Sequence, residues 1–116
     1  MLEFFRNTAL SYPETTEEPH FEKTSFRVRK KIFATYDFKT GLASFKLSEK
    51  DQDLFSLFDS KLVFPVPNKW GKQGWTLANI EALPEELIGD LLQAAFWQVA
   101  PEKLKNFSPP PSSPQP

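Results

Sequence analysis

The chain has 116 residues, 40% of them apolar, with 14 basic against 15 acidic side chains and a net charge of −1. That length holds one domain with one core, and the charge balance excludes a protein-wide field drawing the chain to nucleic acid or to an anionic membrane. Cysteine is absent, which excludes disulfides, thiolate nucleophiles and cysteine metal sites.

The opening MLEFFRNTALSYPE carries an early Glu and no unbroken apolar run, so it does not read as a signal peptide. No stretch approaches the roughly 18 apolar residues of a membrane span, and the expected location is the cytoplasm. Leu2, Phe5, Ala9 and Tyr12 recur at steps of three and four, the spacing of one helix face, and that helix must end near Pro13. PETTEEP reads as an acidic, Pro-bounded loop. Phe26 and Val28 alternate with Arg27 and Arg29 as in a half-buried strand, and Arg29-Lys30 reads as a tight turn without the usual Gly or Asn. KIFATYDF is apolar on both faces and reads as a central strand. After the turn KTG, LASFKLS places Ala43, Phe45 and Leu47 on one side.

Ser48 suits a helix N-cap with Asp51 in the first turn, and the helix EKDQDLFSLFD is expected to bury Leu54, Phe55 and Phe58. KLVFPV is a strand whose Pro65 suits an edge, and WTLANI is another. Pro84 opens a last helix in which Leu87, Ile88, Leu91, Leu92, Ala95 and Val99 form a wide apolar stripe. Residues 1–106 therefore read as a single domain. SPPPSSPQP, at the end of the chain, has too little apolar surface to pack, and residues 107–116 read as a disordered tail. The order α-β-β-β-α-β-β-α, with no repeated strand–helix–strand unit, predicts an α+β fold: an antiparallel five-stranded sheet with three helices against it.

The charges are unevenly distributed. Lys23, Arg27, Arg29, Lys30 and Lys31 stand against the single acid Glu22, and Lys61, Lys69 and Lys72 fall in a stretch with no acid at all. If hairpin and loop lie together, these cations share a face that contacts phosphates, with an exposed indole to stack on a base. The plainer account is that Arg27 and Arg29 form the solvent side of a strand and that Lys30-Lys31 is a solvated turn. In VPNKWGKQGWT, Trp75 begins a strand and is expected to pack in the core or cap a sheet end. Trp70, among turn formers, is the candidate surface aromatic. GKQG lacks the spacing and the following Ser or Thr of a phosphate-binding loop, so no cofactor is expected.

Catalytic chemistry has little to build on. His20 is the only histidine, no nucleophile is paired with a base, and Asp51 and Asp53 point in different directions from one helix. Neither an enzyme nor a metal site is expected.

ALSYPETTEE, KIFATYD, SFKLSEKDQDLF, PNKWGKQGWTLANI and LPEELIGDLLQAAF, in that order, resemble the MmcQ/YjbR family of small bacterial proteins, from about Phe4 to Leu104. The resemblance implies a fold similar to the CyaY-like α+β domains and carries a DNA-binding label. Many relatives have Asn-Lys, a short gap and Trp in the loop. Asn68, Lys69 and Trp75 take those places here, with a longer gap that holds the additional Trp70. The histidine common beside the Asn-Lys pair is missing, which undermines any role built on a loop imidazole. The resulting expectation is weak, sequence-tolerant DNA binding, with Arg27, Arg29, Lys30, Lys31, Lys69 and Lys72 on phosphates, Trp70 as stacking platform, and Asn68 and Trp75 beside it. The alternative is a protein-interaction module with an unknown protein partner. A third reading, a domain with a small ligand, predicts a concave, apolar-lined pocket near Trp70 and Trp75.

Overall fold

A short helix, α1 (Leu2–Leu10), precedes four strands: β1 (Thr15–His20), β2 (Lys23–Val28), β3 (Lys31–Asp37) and β4 (Leu42–Lys46). Then follow α2 (Glu49–Ser56), β5 (Val63–Pro65), one helical turn α3 (Lys69–Lys72), β6 (Trp75–Asn79), a 3-10 turn, α4 (Glu85–Val99) and a closing 3-10 segment (Glu102–Phe107). The computed structural model describes residues 1–107; apart from Phe107, the tail expected over residues 107–116 lies outside the described residues.

The six strands form one antiparallel sheet in the order β1-β2-β3-β4-β6-β5. The helix α4 lies across β3 and β4, with α1 beside it. Between them Phe5 meets Phe26 and Phe45 edge-on at centroid distances of 5.3 and 5.8 Å. Phe96 likewise meets Phe33 edge-on and stacks on Tyr12 at 4.7 Å. Edge-on rings bring positive ring edges to negative faces and so add to the gain from burial. A bulge opposite Phe26 and Arg27 leaves Phe33 without a cross-strand partner. Phe33 and Ala34 can then both be buried under α4, while Ile32 and Thr35 turn to the opposite face.

The α+β class and the antiparallel sheet are as expected, but among the described residues the sheet has six strands instead of five, and there are four α-helices instead of three. The acidic PETTEEP segment supplies the extra strand. Glu17 accepts hydrogen bonds from Arg6 Nε at 2.9 Å and Thr24 Oγ1 at 2.8 Å, which ties β1 to α1 and β2. Pro19 is tolerated because β1 is an edge strand. The helix α2 is also rotated from its expected orientation. Asp51 and Gln52 are buried and Phe55 is partly so, whereas Leu54 and Phe58 are exposed. The cause is Gln52, whose amide donates to Gly71 O, Trp75 O and Thr76 Oγ1 and turns that side of the helix inward. Ser48 caps α2 by accepting from Asp51 N–H, as the sequence indicates. Among the described residues no helix is long and apolar enough to cross a membrane.

Candidate binding groove on the open sheet face

Strand periodicity sends alternate side chains to the face away from α1 and α4. On that face Ser25, Thr35, Ser44 and Leu77 form one cross-strand row, with Ile32 opposite Arg27 in the next. Thr35, Ser44, Ile32 and Leu77 floor a groove of about 480 Å³. Val66, Asn68, Trp70 and Trp75 wall it on one side, His20 and Lys23 on the other. Among the described residues no carboxylate lines it. Asp37, the cross-strand neighbour of Lys23, turns its Oδ1 back to Lys39 N–H at 2.8 Å, and those turn hydrogen bonds depress its pKa.

The indole wall is held in place through its backbone. Val66 N–H donates to Trp75 O, Leu47 N–H to Gly74 O, and Asn68 Oδ1 accepts from Trp70 N–H at 2.8 Å. Lys46 Nζ donates to Gln73 O, and partial burial lowers the Lys46 pKa. Gly71 and Gly74 are fixed by space: a Cβ would lie 2.0 Å from Val66 O at Gly71 and 1.8 Å from Leu47 O at Gly74, where φ is also +103°. The result is a Trp70 side chain still 49% exposed on a backbone with little freedom. Trp75 is half-buried at the start of β6 and borders the groove, so it is not in the core under the helices.

The structure brings only part of the expected site together. Asn68, Trp70 and Trp75 share the groove, and Lys69 Nζ lies 5.7 Å from the Trp70 ring centroid. Arg27 is on the same face, its guanidinium bonded to Ser25 Oγ at 2.9 Å and to Pro19 O. Lys69 and Lys72 both line the adjoining hollow, with Glu49 and Gln52, and Val66 and Asn68 border that hollow and the groove alike. Arg29 and Lys30 form the β2–β3 turn at φ +47° and +73°, and Arg29 makes a two-pronged pair with Glu14 at 2.7 and 3.2 Å. That hydrogen bond raises the Arg29 pKa and lowers that of Glu14. Lys31 falls in the row of Val28 and lines a cleft on the helix side with Val99 and Lys105. The six cations therefore do not share one face.

Sequence reasoning missed His20, Ile32, Thr35, Ser44 and Leu77 as groove residues, and it counted Lys23 in the basic run without assigning it a phosphate contact. The alternation in β3 and β4 was a signal for Thr35 and Ser44, but the wall of His20 and Lys23 depends on β1 being a strand. The concave pocket near Trp70 and Trp75 matches the small-ligand expectation in place, with apolar Ile32, Val66 and Leu77 among its lining. Among the described residues no group of three or more His, Cys, Asp or Glu is placed to hold a metal ion.

A family model described as YjbR matches residues 10–98. The fold is similar to that of protein DR2400 from Deinococcus radiodurans, whose crystal structure is described as a DUF419 domain. The two have a TM-score of 0.75 and 18% identity over 92% of this chain and 86% of that one. At that identity the likeness speaks for the fold alone. The search of curated proteins finds no match.

Proposed function

The chain belongs to the YjbR family, and from that premise we propose that it is a cytoplasmic, non-catalytic binding module whose open sheet face takes single-stranded nucleic acid without sequence preference. The observation that carries the reading is the groove: two indoles on one wall, a lysine on the other, and no carboxylate among the described residues that line it. A base stacks on Trp70, and Lys23, Arg27 and Lys69 serve the phosphates, because every base has a π-face and every nucleotide a charge. Sequence tolerance follows from the mode of contact, since stacking and phosphate contacts read no base edge. Arg29, Lys30 and Lys31 fall outside this version of the site, and Lys72 borders it through the hollow it shares with Lys69.

The test is quenching of tryptophan emission by oligothymidylate, oligoadenylate and a duplex at low and moderate salt. Similar affinities for the two single strands, weaker binding of the duplex and a loss of affinity with added salt are expected. No quenching at low salt overturns the proposal.

A protein-interaction module is the second reading. It is favoured by Leu54, Leu57 and Phe58, exposed together at the end of α2, with Leu57 81% exposed. Absent nucleic-acid binding, together with capture of a defined protein partner that is lost on Leu57→Asp, would move the assignment to it.

A further inference from the structure

We propose that the groove continues past His20 onto Phe21, a second stacking platform at the β1–β2 turn that lengthens the single strand the domain holds; this rests on the single-strand reading of the groove. Phe21 is 94% exposed, so its ring adds almost nothing to the core. It also occupies the first of two turn positions between β1 and β2 at φ +60°. A two-residue hairpin turn prefers glycine at such a position, and a bulky side chain there is an outlier. Glu14, Arg29 and Lys30 also take positive φ, so the backbone alone does not mark the turn; what neither packing nor turn geometry accounts for is a phenylalanine ring left open to solvent there.

The surroundings of the ring give it a use. Its centroid lies 4.9 Å from that of His20, with the planes at 68°, and the His20 side chain lines the groove. Lys23, the first residue after the turn, lines it as well. The turn therefore sets an open aromatic face beside a cation at the groove's far end, the combination that holds a base and its phosphate. Glu22, the acid of the turn, faces Lys39 Nζ at 3.9 Å.

The strand order also sets a length. β2, β3 and β4 separate β1 from β6, and four interstrand steps of about 4.8 Å span roughly 19 Å. A dinucleotide on Trp70 and Trp75 does not need Phe21, whereas a longer strand crossing the sheet reaches it. Phe38 is the internal control. It is also exposed, at the neighbouring β3–β4 turn, but its ring packs at 5.4 Å against Tyr36, which belongs to the helix side.

The experiment titrates thymidine dinucleotide and an oligothymidylate of about eight residues, long enough to cross the roughly 19 Å from β6 to β1, into the unaltered chain, Phe21→Gly, Phe21→Leu, Phe38→Ala and Trp70→Ala, read by tryptophan quenching at low salt. Phe21→Gly is expected to bind the dinucleotide as the unaltered chain does and to lose about tenfold, the worth of one stacked base, on the longer strand. Its Tm should not fall, because glycine suits the turn. Phe21→Leu should lose affinity for the longer strand in the same way, and Phe38→Ala should bind both ligands normally. Full affinity of Phe21→Gly for the longer strand, with Trp70→Ala weakened, overturns the extension and leaves the groove intact. An equal loss on both lengths also overturns it, since Phe21 would then shape the groove instead of extending it. No quenching of the unaltered chain by either ligand refutes the single-strand reading itself.

Discussion

The two faces of the sheet are built from the same strands and do opposite things. On the helix side Phe5, Phe26, Phe33, Phe45 and Phe96 are fully buried and interlock edge-on. On the open side the same strands present Ser25, Thr35 and Ser44, small side chains whose hydroxyls are already hydrogen-bonded. One face removes large apolar areas from water; the other leaves a shallow floor that needs nothing above it to be stable. An α+β domain of this size can thus concentrate stability on one side of its sheet and recognition on the other, and substitutions should separate the two.

The largest expected effect is on the helix face. Phe26→Ala empties a fully buried site against the Phe5 ring and should cost about 3–5 kcal/mol, a large share of the roughly 5–15 kcal/mol that keeps a domain folded. Urea unfolding followed by far-UV circular dichroism measures it. A loss below about 1 kcal/mol would mean that stability does not reside on that face.

Gln52→Leu comes next and tests the link between the faces. It keeps the bulk of the side chain but removes the donor to Gly71 O, Trp75 O and Thr76 Oγ1, at about 1–3 kcal/mol for the hydrogen bonds lost together, while Gly71 O and Trp75 O each keep a backbone donor, Gly74 N–H and Val66 N–H. Because Gly71 and Trp75 bracket the indole wall, oligothymidylate affinity should fall with stability. Unchanged affinity in the folded protein would show that the loop holds its shape without α2.

Where the sequence was legible, local chemistry sufficed. The α4 stripe, the Ser48 cap and Pro65 at an edge each rest on neighbours within one element, and the antiparallel sheet follows from element order. The open face was less legible because it depends on register. One bulge at Phe33 decides that Ile32 faces the groove while Phe33 and Ala34 face the core, and nothing in KIFATYD announces it. β1 was hidden because TTEEPH has the composition of a loop, and its pairing is secured by Arg6, eleven residues from Glu17. The basic run from Arg27 to Lys31 was legible as charge but not as a surface. Alternation and a turn divide it between the open face, the hairpin tip and the helix side.

Trp70→Ala isolates the open face. Its ring is half in solvent, so stability should change by less than about 0.5 kcal/mol, while oligothymidylate binding should weaken by about 1–3 kcal/mol. Paired denaturation and titration measurements give both numbers from one sample. A stability loss as large as that of Gln52→Leu would mean that the indole is a packing residue and the contrast between faces is weaker than drawn.

The smallest effect concerns the edge that carries His20 and Lys23 to the groove. Burial works to raise the Glu17 pKa, but hydrogen bonds from Arg6 and Thr24 and the charge of Arg6 outweigh it, and the net shift is downward. A carboxyl depressed in the folded state stabilises fully above its unfolded value, about 4.3 for glutamate. That contribution is lost as pH falls through the lower folded value, because the unfolded chain takes up the proton first. Glu14, lowered by its hydrogen bond to Arg29, adds to the same acid limb, so Glu17→Gln should flatten the limb only in part. At neutral pH the variant should lose no more than about 1 kcal/mol, as expected for a partly exposed pair. Urea midpoints at neutral pH and below pH 4 give the slope, and amide exchange in Thr15–His20 reports the strand itself. If β1 is pinned through Glu17, its amides exchange faster in the variant at neutral pH while those of β3 do not. Identical acid slopes and identical β1 exchange would show that cross-strand hydrogen bonds to β2 suffice to hold this wall, and that the Arg6–Glu17 contact is incidental to it.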